Sequence, residues 1–96
     1  MAEIEARLNA LGLQLPAPIR LPPGVVLGFP WVRVHGDRAF LSGHGALAPD
    51  GSIAHPLGKV GHDLTLELGY HAARLTGLAM LASLKAELGD LDKVDA

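Results

Sequence analysis

Cysteine is absent from this chain of 96 residues, which excludes disulfides, thiol catalysis and thiolate metal sites. An excess of positive charge is also lacking. Eight basic residues against ten acidic ones leave a net charge of −2, so electrostatics argues against nucleic acid or an anionic membrane as a partner. No stretch of about 20 uncharged residues is available to span a bilayer; Glu67, His71, Arg74 and Lys85 interrupt the longest apolar segment. Glu3, Glu5 and Arg7 fall within the first seven residues, which is not the pattern of a secretory signal. No internal repeat is visible. With 49% hydrophobic residues the composition is that of a globular chain. The reading is one soluble domain, residues 1–96, suited to the cytoplasm. A domain of this size buries roughly 60–70% of its unfolded surface, so association between subunits would help it.

The most informative stretch runs from Phe40 through Leu41, Ser42, Gly43, His44 and Gly45 to Pro49, Asp50 and Gly51. A β-type run breaks there at a glycine and passes through a Pro-Asp-Gly turn. Glycine at 43 and 45 leaves the backbone amides unshielded beside the Ser42 hydroxyl, and a small polar ligand can approach such a backbone closely.

Ile4, Leu8 and Leu11 recur at helical spacing with Gly12 behind them, which predicts a short amphipathic helix. Four prolines between Leu15 and Gly24 predict an extended connector on the surface. Residues 1–24 thus precede a unit of hairpin, turn and long helix at 25–96.

Residues 31–35 and 38–44 read as two strands joined by a Gly36-Asp37 turn. That turn pairs His35 with Arg38, Arg33 with Phe40 and Trp31 with Ser42. One face then holds Trp31, Arg33, His35, Arg38, Phe40, Ser42 and His44; the other holds Val32, Val34, Ala39, Leu41 and Gly43. The aliphatic face is the one expected to receive a helix.

That helix is predicted at 66–88, capped by Asp63 or Thr65 and ended by Gly89. Gly69, Ala72, Ala73, Thr76 and Met80 form a small-residue stripe suited to lying on a sheet. Gly69 and Gly77 each cost about 1 kcal/mol relative to alanine, which suggests selection by close packing. Leu75, Leu78, Leu81 and Leu88 lie off the stripe, and a helix apolar on more than one face requires more than one neighbour. The expectation is a further covering layer, from another chain or from a segment beyond Ala96.

The five histidines show no i, i+4 pair on a helix and have no cysteine companions, so loop and edge positions explain them better than a metal site. No cofactor is expected. Ser42 and His44 are spaced as a possible nucleophile and base, but no acid orients the histidine and no strand-to-helix elbow presents the serine. Arg33 opposite Phe40 reads either as a cation–π pair worth about 0.5–1 kcal/mol or as a carboxylate anchor. Trp31 beside Ser42 reads as a cleft wall or as an interface anchor.

Taken in order, Phe40 to His44, Asp50-Gly51, Gly58 to Thr65, Gly69 with Ala72-Ala73-Arg74, and Leu88 to Val94 resemble the N-terminal part of Rid proteins. These are the reactive intermediate deaminases, YjgF-like, also called endoribonuclease L-PSP. The opening helix and Pro-rich connector resemble a subgroup with a long N-terminus.

The resemblance implies an α+β, chorismate-mutase-like sheet backed by helices. It implies a homotrimer with clefts between subunits, and hydrolysis of enamine and imine intermediates to a keto acid and ammonia. Ser42 and Gly43 match the family's cleft-lining pair. His44 stands where many members have glutamine, and Trp31 lies near a cleft tyrosine. With Arg33 these form the expected substrate-binding set.

The family's substrate-binding arginine and acidic residue correspond to positions beyond Ala96. The 96-residue chain is therefore expected to be impaired as a deaminase. A non-catalytic small-molecule or protein-interaction module is the alternative, and an endoribonuclease the third reading.

Overall fold

A computed structural model describes residues 3–95. Its elements are α1 (Glu3–Ala10), β1 (Val32–His35), β2 (Arg38–Leu41), α2 (Leu66–Leu88) and a 3-10 turn (Leu91–Lys93), an α+β arrangement. β1 and β2 form an antiparallel hairpin with the pairs Val32–Leu41, Arg33–Phe40, Val34–Ala39 and His35–Arg38. Gly36 takes a φ of 62°, the left-handed region at the first position of a two-residue turn. The turn therefore sets the register that its sequence predicts.

α2 packs against β1. Thr65 caps it, its Oγ1 accepting from the Leu68 amide at 3.2 Å, and Gly89 ends it at φ 82°. Val32 is buried, and Leu41 lines one groove with Leu78 and Leu81 of the helix. The aliphatic face of the hairpin thus receives the helix, although Val34 stays exposed.

The phase of the helix differs from expectation. Leu78 and Ala79 are its buried residues, while Ala73 and Met80 of the small-residue stripe are exposed. Alanine, glycine and serine occur on several faces of α2, so residue size alone does not fix which face turns inward. Leu78 is covered within the chain, and Leu75 and Leu81 are half-buried. The expectation that the off-stripe leucines await another layer is therefore wrong for Leu78.

The Pro-rich connector is extended but docked. The Ala17 amide donates to Pro49 O and the Arg20 amide to Gly51 O, both at 2.9 Å. Gly51 has φ 88°, and a Cβ there would collide with the Pro18 carbonyl. The Asp50 carboxylate accepts from the Ser52 hydroxyl at 2.6 Å and from its amide at 3.0 Å. These bonds, and then the charge of Arg20, hold its pKa below the ordinary value. A bridge between Leu47 and Ile53 closes the turn.

The two ends of the described chain meet. Both oxygens of Asp92 accept from the first turn of α1, from the Glu3 and Ile4 amides at 2.6 and 2.9 Å. Glu5 pairs with Lys85 at 2.8 Å. Leu91, fully buried, sits in the turn that touches both helices. The unsatisfied amides of a helix start are thereby capped by a residue 88–89 positions away in sequence.

Candidate functional site

The pleat of β2 ends at Leu41, and the two glycines that follow release the backbone from strict alternation. Ser42 remains tied to the hairpin, its amide donating to Trp31 O at 2.9 Å and its Oγ to Pro30 O at 2.8 Å. His44 then turns to the helix side, so its assignment to the face of Phe40 and Ser42 is corrected. Its Nδ1 lies 2.6 Å from Ser42 O and its Nε2 lies 2.8 Å from Ser83 Oγ on α2. The Trp31 ring packs on the imidazole at 5.1 Å, and Phe29 meets Trp31 edge-on at 5.5 Å.

Trp31 and His44 border a cavity of about 580 Å3 between the docked connector, the start of β1 and α2. Leu15, Ile19, Leu47 and Ala79 make its walls apolar, and Gly45, Ser83 and Lys85 contribute to the rim. The Gly43 amide donates to no acceptor among the described residues, so a bare donor remains beside Ser42.

The expected substrate-binding residues are thus divided. Trp31 and His44 come together at the cavity, whereas Ser42 and Gly43 do not line it, and Arg33 is exposed on the hairpin and does not line it either. Arg33 does face Phe40 across the strands, without a cation–π contact among the described residues.

Ser83 and Lys85 were not picked out by motif. The signal that could have found Ser83 is its spacing. Ala79, Ala82, Ser83 and Ala86 follow i, i+3, i+4, i+7 and so share one small-residue face of α2.

The turn before α2 is held differently. Asp63 accepts from the Lys59 amide at 3.0 Å and lies 2.9 Å from His62 Nδ1. Those two bonds, the backbone one first, lower its pKa. Gly58, at φ 148°, leaves room for the Asp63 side chain. Among the described residues no three metal-ligating side chains converge, and no helix is long and apolar enough to cross a membrane.

No family model and no curated protein matches the chain. A solved structure does: the crystal structure of "a putative endoribonuclease" from Shewanella oneidensis MR-1, with a TM-score of 0.76 and 32% sequence identity over 92% of this chain. The chain belongs to the Rid, YjgF-like family. It spans 54% of the length of the Shewanella chain. Ser42-Gly43 lies where β2 gives way to the loop that carries His44.

Proposed function

We propose that the chain is the N-terminal part of a chorismate-mutase-like Rid domain that acts on reactive imines and enamines, releasing a keto acid and ammonia. Its site would form between subunits of a cytoplasmic homotrimer. One observation carries this reading: the chain is similar to a solved structure at 32% identity, with the Gly43 amide beside Ser42 lacking an acceptor among the described residues.

Hydrolysis adds water to a C=N bond, and catalysis needs a group to hold the substrate carboxylate and a donor to orient the attacking water. Ser42 and Gly43 are suited to fixing the substrate, and Trp31 and His44 to walling it. Arg33 is a cation of the expected set, but its exposed place on the hairpin keeps it from that wall. The 96-residue chain is accordingly expected to show little or no turnover by itself.

The test is keto-acid release from freshly generated 2-iminopropionate or 2-aminoacrylate, against a buffer blank and Ser42→Ala. Turnover near the blank for the 96-residue chain, with activity in a longer product that Ser42→Ala reduces, is the expected result. Robust turnover by the 96-residue chain that depends on Arg33 would overturn it.

A non-catalytic binding module is the second reading. It is favoured by the Ser42 hydroxyl and both His44 nitrogens already being engaged inside the chain. The neighbour's name supports a ribonuclease reading, which the net charge of −2 disfavours.

A further inference from the structure

Ser83 lies half-buried within α2 and behaves unlike Thr76, the other half-buried hydroxyl residue of that helix. A serine or threonine inside a helix commonly returns its hydroxyl to the carbonyl four residues earlier. Thr76 does so, donating to Ala72 O at 2.9 Å. Ser83 instead points across to the imidazole of His44, with Oγ 2.8 Å from Nε2. The other ring nitrogen, Nδ1, lies 2.6 Å from Ser42 O.

Those two distances fix the direction of the protons. A backbone carbonyl can only accept, so Nδ1 carries the hydrogen. In the neutral ring Nε2 is then a bare lone pair, and the Ser83 hydroxyl donates to it. This is the orientation in which an imidazole acts as general base toward a serine. The Ser42 carbonyl takes the orienting part that a carboxylate plays in a Ser-His-Asp triad. Both side chains border the 580 Å3 cavity, whose walls are Leu15, Ile19, Trp31 and Leu47. Gly45 brings backbone without a side chain to the same wall.

We propose that Ser83 and His44 form a nucleophilic dyad that accepts the acyl group of a small apolar ester bound in this cavity. In the first step Ser83 Oγ bonds to the acyl carbon while its proton passes to His44 Nε2. The ester C–O bond breaks, and the imidazolium returns that proton to the departing alkoxide, which leaves as the alcohol. In the second step water gives a proton to Nε2 and its oxygen attacks the acyl carbon. The carboxylic acid is released, and the proton restores the Ser83 hydroxyl. This chemistry rests on the His44–Ser83 geometry and is independent of imine hydrolysis.

The experiment is to incubate the intact chain with a fluorophosphonate probe, locate any adduct by peptide mass spectrometry, and follow p-nitrophenyl butyrate hydrolysis in parallel. A single adduct on Ser83, absent in Ser83→Ala, is expected. His44→Gln, which removes the general base, should slow labelling roughly a hundredfold with an unchanged far-UV spectrum. No adduct on the folded wild-type chain, or an adduct on Ser42, Ser52 or a lysine instead, would overturn the proposal. Undiminished labelling in a folded His44→Gln would do the same. If that variant does not fold, the position of the wild-type adduct decides alone.

Discussion

Two glycines inside α2 separate conformational cost from packing benefit. A Cβ at Gly69 would lie 2.8 Å from Val60 Cγ2, too close unless the valine yields, whereas one at Gly77 would meet nothing within 4 Å. A β-branched valine is restricted at χ1 and yields poorly. Close packing therefore accounts for Gly69 and not for Gly77, where the expectation from sequence fails. Gly77→Ala should stabilise the chain by about 0.5–1 kcal/mol, the helix-propensity difference. Gly69→Ala should stabilise it less, or destabilise it. Urea unfolding of both variants checks the order, and equal gains would show that Val60 moves aside without cost.

At the scale of elements, the decisive contact is between parts distant in sequence. Asp92 holds the first turn of α1 through hydrogen bonds from Ile4 and then Glu3, which lower its pKa below the ordinary 3.8. A carboxylate whose folded pKa is depressed contributes stability that is fully present above its unfolded pKa. That contribution is lost as pH falls through the folded value. Protection of the Glu3 and Ile4 amides, taken relative to the intrinsic exchange rate at each pH, should therefore hold above about pH 4 and fall below it, ahead of the centre of α2. Asp92→Asn should weaken that protection at neutral pH as well. Exchange at Ile4 that is indifferent to both changes would remove Asp92 from this role.

The same contact marks the limit of sequence reading. The hairpin register and both ends of α2 were legible, because Gly36, Thr65 and Gly89 act within a few residues of themselves. The cap on α1 was not, since nothing near Glu3 announces a partner in the C-terminal turn. Nor was the docking of the connector, which depends on carbonyls of Pro49 and Gly51 offered by a distant turn. At the candidate site, the pairing of Trp31 with Ser42 was legible from the hairpin turn. The inward turn of His44 was not, because two flanking glycines free it from the pleat that alternation presumes.

For the whole molecule, shape is the informative quantity. A compact domain of this length has a radius of gyration of about 12.5 Å; this chain has 14.5 Å and measures only 21 Å along its shortest axis. The buried apolar core is correspondingly small: Val32, Leu47, Leu64, Leu78, Ala79 and Leu91. Phe29, Val34, Phe40 and Tyr70 remain exposed, and among the described residues the sheet has two strands. A lone two-stranded sheet is marginal, and an unpaired strand edge is a template for another chain. Such a molecule gains by covering its surface, so its apparent stability should depend on its own concentration. The expected outcome is that the melting temperature rises with concentration and that sedimentation reveals association, with a three-chain species as the proposed end state. Phe40 is 56% exposed on the outer face of the hairpin, opposite the face that receives α2. Phe40→Glu should therefore reduce association while leaving the monomer's helix content unchanged, because it places an unpaired charge in the contact. A chain that stays monomeric across the accessible range, with a melting temperature independent of concentration, would mean that the hairpin's outer face is not an interface in this chain.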